Sequence, residues 1–208
     1  AARAHEMIVP RAGWAEHRPD EDWWGDFVFI AKALLKGIDP SLVKAVACSA
    51  IGPCMLPLDA EGRPLMNGVL YGVDTRAVDE IDILNSDLGR DLVMARCGNA
   101  LTSQSVGPKI LWLKRTHPDL WARTHKVVTA TTFLTLRLTG NCVIDHYTAA
   151  NFSPLYDIHK QDWCPELGNI CGRETLPDLM WSTEIAGHVT AGAASETGLA
   201  AGTPATCG

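Results

Sequence analysis

Val43-Lys44-Ala45-Val46-Ala47-Cys48-Ser49-Ala50-Ile51-Gly52-Pro53-Cys54-Met55-Leu56-Pro57-Leu58-Asp59 reads as a buried strand that ends in a Gly-Pro turn. Small residues crowd its end, where another group can approach the backbone closely. A second short apolar strand, Gly68-Val69-Leu70-Tyr71-Gly72-Val73, runs into the polar Asp74-Thr75-Arg76. Between the two lies Asp59-Ala60-Glu61-Gly62-Arg63-Pro64, a turn by composition. Strands that deliver Gly, Asp and Arg at their ends are a common way to build a polar small-molecule site. Many α/β domains end strands this way with no ligand there.

On the N-terminal side, residues 1–19 read as extended and irregular, punctuated by Pro10, Gly13 and Pro19. Asp20-Glu21-Asp22 then opens a helix, with acidic residues in its first turn and Asp20 able to cap. Trp24, Phe27, Ala31, Leu34 and Leu35 recur at helical spacing and are expected to face the core. Lys36 and Gly37 close that helix. Trp23 and Trp24 suit sugar stacking in principle, but packing on a helix face is the plainer reading.

On the C-terminal side, Ala77 to Leu88 reads as a helix with Val78, Ile81 and Leu84 or Ile83 inward, followed by Gly89. Pro108 to Thr116 is a second helix, with Pro in its first turn and Pro118 preventing it from running far. Val127-Val128 is a short strand, and Thr131 to Leu138 a helix ended by Gly140. Asp145 to Ala150 is a polar turn into small residues. Trp163-Cys164-Pro165 starts a helix to about Cys171, Glu184 to Val189 is a strand, and Ala191 to Thr197 a helix backed by Gly198. Strands alternate with helices, which predicts an α/β fold.

The 208 residues suffice for one good-sized core or two small ones. Apolar residues at 47% and charged residues at 20% place the chain among globular domains. A net charge of −6 argues against nucleic acid and against an anionic membrane surface, since both need a basic footprint. No apolar run has the ~18 residues of a membrane span, and no signal peptide is visible. Seven cysteines, an odd number at irregular spacing, read as free thiols serving as small core residues in a reducing cytoplasm. The chain starts mid-pattern without an initiator Met and stops where a strand and a Gly turn begin, so it is expected to be a piece of a longer protein.

Motifs that would name a chemistry are missing. There is no GxxxxGK[ST] phosphate loop, no GxGxxG, no GxSxG elbow and no HExxH. A Ser-His-Asp triad scattered along the chain stays open as a reading, although nothing favours it.

Taken in order, the landmarks resemble the FGGY family of carbohydrate kinases, the xylulokinase-like members most closely. Gly13-Trp14-Ala15-Glu16-His17, Pro19 and Trp23-Trp24 are similar to the family's early Trp-x-Glu-x-x-Pro…Trp-Trp segment. Val43 to Asp59, Gly62-Arg63-Pro64-Leu65 and Leu70 to Ala77 follow, then Gly98-Asn99 and Pro108-Lys109-Ile110-Leu111-Trp112-Leu113. Leu138-Thr139-Gly140, Asp145 with Ala149, and Asp157 with Trp163 complete a series that covers nearly the whole chain.

The resemblance implies a ribonuclease-H-like, actin-type fold, incomplete at both ends. Residues 1–208 would be the N-terminal sugar-binding domain, without the family's first Asp-x-Gly-Thr strand and without the C-terminal nucleotide domain. Its implied cofactors are ATP and Mg2+, and its partner a small-molecule sugar or polyol; a homodimer is left open. Gly202-Thr203-Pro204 resembles the strand before the catalytic turn, so the catalytic Asp is expected just beyond Gly208 and no catalytic residue within the chain.

Substrate contacts carry over by position. Many relatives have Gln-Met-His-Gly after the first strand; here the matching residues are Gly52-Pro53-Cys54-Met55, so Pro53 and Cys54 replace Met and His. Loss of the imidazole removes a strong hydrogen-bonding group, which counts against xylulose as substrate. Tyr71 falls where relatives place an aromatic wall, Asp74 and Arg76 keep an acidic-basic pair, and Gln104 stands where glycerol-specific members place a Tyr. Arg76 has the alternative of simply pairing with Asp74 or capping a helix, and Gln104 that of a plain loop residue. Three readings result: a sugar or polyol kinase, a non-catalytic carbohydrate-binding domain, and, third, an α/β hydrolase.

Overall fold

Short strands alternate with helices throughout the computed structural model, which describes residues 1–208. The strands are β1 (Glu16–His17), β2 (Leu56–Leu58), β3 (Gly68–Val69), β4 (Lys126–Val128), β5 (Val143–Asp145), β6 (Tyr156–Asp157), β7 (Asp162–Trp163), β8 (Asp178–Met180), β9 (Ile185–His188) and β10 (Pro204–Thr206). The helices are α1 (Gly25–Leu34), α2 (Val78–Leu88), α3 (Arg90–Cys97), α4 (Val106–Thr116), α5 (Pro118–Arg123), α6 (Ala130–Thr139), α7 (His146–Ala149) and α8 (Ala191–Thr197). No helix is long and apolar enough to cross a membrane.

β1 pairs with β3, β2 with β4, β6 with β7 and β9 with β10, all antiparallel, while β5 and β8 run parallel. Single bridges tie Met55 to Val69 and Val46 to Ala205. The β2–β4 pair is the divide of the molecule. Val127 belongs to one apolar cluster, with Met55, Val69, Ile110, Leu113 and Phe152; Val128 belongs to the other, with Leu56, Leu58, Trp24, Phe133 and Leu138. Successive strand residues point to opposite faces, so a strand covered on both sides must be apolar at every position. That is why Met55-Leu56 and Val127-Val128 carry no polar residue. Each such side chain, fully buried, contributes roughly 1.5–3 kcal/mol.

Local chemistry sets the ends of the elements. The Thr129, Asp145 and Thr190 side chains accept from the N–H groups of Thr132, Thr148 and Ala193, capping α6, α7 and α8. Gly140 closes α6 at φ +82°, a left-handed conformation that suits glycine. Trp23 and Trp24 are buried, and their indole N–H groups bond His17 Nδ1 (3.2 Å) and Glu196 Oε2 (2.7 Å). Helix-face packing is therefore what these two residues do.

Several expectations change. Val43–Ala50 is not a buried strand. Only Val46 is paired, its N–H bonding Pro204 O (2.9 Å) and its carbonyl accepting from Thr206 N–H (3.0 Å), and Lys44, Ala45 and Ala47 are exposed. Pairing along one edge alone leaves its apolar side chains in contact with solvent. Asp22, not Asp20, accepts the Arg18 N–H (2.8 Å) at the start of the first helical turn, because Asp20 is drawn outward to Arg137. Leu34 and Val78 lie on the solvent side of their helices. The sequence reading missed α3 and α5; Pro118 does not merely stop α4 but opens α5 as its first residue. Residues 163–171 form no α-helix, only one 3-10 turn at Leu167–Asn169. Trp163 pairs with Tyr156 in β7, its indole donates to Pro177 O (2.9 Å), and Gly168 turns at φ 75°.

All seven cysteines are free, and all but Cys142 are buried. Burial pushes the Cys48, Cys54, Cys171 and Cys207 thiols up to about 12. At pH 8 these four should resist a thiolate-selective disulfide reagent in the native protein and react promptly once it is unfolded. Fast native labelling of Cys48 or Cys54, read by mass spectrometry, would contradict their placement.

Candidate functional site

Arg76 is held by two carboxylates. Its Nε donates to Asp74 Oδ1 (2.9 Å) and Oδ2 (3.0 Å), and its Nη2 to Asp74 Oδ2 (2.8 Å) and Glu16 Oε1 (2.8 Å). Asp74 also accepts the N–H groups of Ala15 (2.7 Å) and Arg76 itself (3.1 Å), and Asn67 Nδ2 donates to Glu16 Oε2 (3.0 Å). The guanidinium lies over the Trp14 ring at 3.8 Å and near Trp112 at 4.9 Å, a cation–π enclosure. The side chains of Asp74 and Arg76 are both 0% exposed. They bond each other closely; Arg76 Nη1 alone is left without a partner, and Asp74 borders a small cavity with Thr75, Ser103, Ser105 and Lys109. The pairing alternative left open by the sequence is the arrangement found, with Glu16 as a third member that adjacency in sequence could not reveal.

Two tight turns meet beside this pair. The Cys54 N–H returns to Gly52 O (2.6 Å) around Pro53, and the Val73 N–H returns to Tyr71 O (2.8 Å) around Gly72 at φ +77°. The Tyr71 ring lies flat on Gly52: a Cβ there would come within 2.8 Å of Tyr71 Cε1. Glycine at 52 is what lets the aromatic wall close. Pro53 and Cys54 are buried behind it, Cys54 at 0% exposure with its thiol pushed up to about 12 by burial.

The Tyr71–Gly72 turn is bound to the loop before α4. The Gly72 N–H donates to Ser103 O (3.3 Å), and Ser103 Oγ donates to Gly72 O (3.2 Å). Thr102 and Ser105 fold that loop on itself through Thr102 N–H to Ser105 Oγ (3.1 Å) and Ser105 N–H to Thr102 O (2.9 Å). Gln104 rides on its crest, exposed. A cavity of about 220 Å3 opens beside it, lined by Asn99, Ala100, Thr102, Gln104, Ser105, Asn151 and Ser153. Six of these seven carry an amide or hydroxyl and none carries a charge. Such a lining offers paired donors and acceptors to a neutral polyhydroxyl compound.

Of the residues singled out from sequence, Tyr71, Gln104, Pro53 and Cys54 share this region. Gln104 alone lines the cavity; Tyr71 is tied to the same loop through Gly72 and Ser103, Pro53 and Cys54 are buried, and Asp74 and Arg76 lie in the interior. Asn99, Ser105, Asn151 and Ser153 were missed as site residues. They come from two connections, α3–α4 and α7–β6, and only Gly98-Asn99 carries a sequence landmark.

The ends of the long-range strand pairs converge elsewhere on the chain. An atom placed at the Cβ position of Gly208, just past β10, would lie 3.5 Å from Asp145 Oδ2, 3.2 Å from Thr131 Cγ2 and 4.0 Å from Cys48 O. Asp145 is nearly buried, with Oδ1 capping α7. No three His, Cys, Asp or Glu side chains converge to hold a metal ion, and the buried Asp74 and Glu16 are both committed to Arg76.

Glycerol kinase of Thermococcus gammatolerans is 30% identical over 186 residues, covering 86% of this chain and 37% of its own. Xylulose kinase of Escherichia coli is 31% identical over 206 residues, covering 96% and 41%. The crystal structure of xylulose kinase from Rhodospirillum rubrum superposes with a TM-score of 0.89 at 26% identity, over 98% of this chain and 42% of that one. The fold is thus that of the actin-like, ribonuclease-H-like sugar kinases. The whole of residues 1–208 matches the N-terminal domain of the FGGY family of carbohydrate kinases, and the chain belongs to that family. It spans about two fifths of the length of the relatives it matches.

Proposed function

We propose that the whole protein is an ATP-dependent carbohydrate kinase, and that residues 1–208 are the domain that binds the acceptor sugar or polyol. The observation that carries this reading is the uncharged, amide- and hydroxyl-lined cavity beside Gln104, in a chain matched to the family from end to end. Tyr71 supplies an aromatic wall for the C–H face of the acceptor. Gln104 and Asn151 supply hydrogen bonds to its hydroxyls, and Pro53 and Cys54 sit buried by the Tyr71 turn. Asp74 and Arg76 hold the wall in place from behind.

A sugar hydroxyl is a weak nucleophile, so a carboxylate must accept its proton as the phosphoryl group transfers. We place that base in the turn that follows β10, the position the family resemblance gives it. ATP supplies the phosphoryl group when bound. The absence of charge in the cavity favours a neutral acceptor over an aldonate, since a buried carboxylate would find no cation there. Seven free cysteines fit a reducing, cytoplasmic setting.

A panel of ketoses, polyols and aldonates with ATP tests the reading. A neutral polyol or ketose other than D-xylulose should have the highest kcat/KM, because Pro53 and Cys54, at the positions matched to Met and His, offer no imidazole to read a ketopentose. Gln104→Ala should raise the acceptor KM roughly two- to tenfold, the worth of one neutral hydrogen bond, and leave the ATP KM alone. If xylulose is the best substrate, or Gln104→Ala leaves the acceptor KM where it was, the assignment of this cavity is wrong.

A further inference from the structure

We infer that Lys109 is a positioning residue of the acceptor site, a buried cation that holds the Gln104 loop and the Tyr71 turn together as one wall. The inference rests on the kinase reading for its kinetic consequence, although not for its structural one. Lys109 is 1% exposed, on the first turns of α4. It makes no ion pair. Its Nζ donates to Ser103 O at 2.6 Å. That carbonyl is the one that also accepts the Gly72 N–H, while Ser103 Oγ bonds back to Gly72 O. One carbonyl thus receives a donor from each side, and the residue next to it is Gln104.

A cation taken out of water costs several kcal/mol unless its surroundings compensate. Packing alone would be served better by Met or Leu. What the charge adds is a short, strong bond to a backbone carbonyl that would otherwise have only a long bond from Gly72. The charged and titratable groups that face the ammonium are Asp74, Cys54 and Arg76. Asp74 favours its charge and Arg76 opposes it, but burial dominates and lowers the Lys109 pKa to about 8. The ammonium is therefore fully charged well below pH 8 and is lost as the pH rises through that value. Its grip on Ser103 should weaken over the same range.

Three measurements on the whole protein test this. In the wild type, the acceptor KM should rise several-fold between pH 7 and 9 while the ATP KM stays level. Lys109→Met should raise the acceptor KM roughly tenfold, leave the ATP KM unchanged and abolish that pH limb; Lys109→Arg, which keeps a donor, should recover part of the loss and remain level to higher pH. Amide hydrogen exchange of folded Lys109→Met should show loss of protection at Gly72 while the β2–β4 amides keep theirs. The exchange measurement needs no activity, so a protein with no kinase activity would defeat the kinase reading and leave the positioning role to be judged on Gly72. Equal changes in both KM values, a level wild-type profile, or unchanged Gly72 exchange would each overturn the inference. A variant too unstable to purify leaves the wild-type pH profile to decide it.

Discussion

Asp74→Ala in the whole protein should lower its stability by about 3–5 kcal/mol, the usual result of removing one member of a buried ion pair. Arg76 would keep its charge, 0% exposed, with only Glu16 left to face it. The Ala15 N–H would lose its acceptor as well. At about 2–4 °C per kcal/mol for a domain of this size, the melting temperature should fall roughly 6–20 °C. The triple substitution Asp74→Ala, Arg76→Met and Glu16→Gln should recover much of that loss, because no member of the cluster is then left as a stranded charge. A thermal melt of the wild type, the single variant and the triple variant checks this. A single mutant as stable as the wild type, with a raised acceptor KM, would instead make Asp74 a substrate ligand.

Phosphoryl transfer should require sequence outside residues 1–208. The purified 208-residue chain is expected to show no ATP-dependent phosphorylation of any sugar in the panel. In the whole protein, changing the first Asp after Gly208 to Ala should reduce kcat by roughly 10²–10⁴-fold, the range of a general base, with little effect on acceptor binding. The relatives matched here are more than twice as long as the chain, and in the proposed reading their remaining length holds the nucleotide. Domain closure in such enzymes also excludes water from the acceptor. Phosphorylation by the isolated chain would sink both the placement of the base and the division of labour.

The parts of the fold legible in sequence were those set by short-range rules. Val127-Val128, the α6 stretch ending at Gly140 and the α8 stretch ending at Gly198 follow from apolar runs and left-handed glycines. α3 was missed although Gly89 and Gly98 bracket it, because Leu92-Val93-Met94 offers no helical period. The helix expected after Trp163 failed for a tertiary reason, the pull of Pro177 O and Tyr156 on that indole.

The site was legible only in part. In the proposed site, Tyr71 and Gln104 are assigned through family position. The pairing of Arg76 with Asp74 is open to sequence, but its hold by Glu16, Trp14 and Trp112 is not, since only the fold brings those residues together. Polar residues in separate loops, such as Asn99 and Asn151, look like any solvated residues until the backbone makes them neighbours.

The single bridge between Val46 and Ala205 has a consequence for how the chain is made. The two segments leave the ribosome far apart in time: about 160 residues separate them, roughly 10–30 s of synthesis. Throughout that interval the apolar run from Val43 to Ala47 has no strand from β10 beside it. Contacts this distant are the slowest to form and the most exposed to mispairing. Nascent chains released early, before Pro204 emerges, should therefore be the ones that chaperones hold and proteases remove.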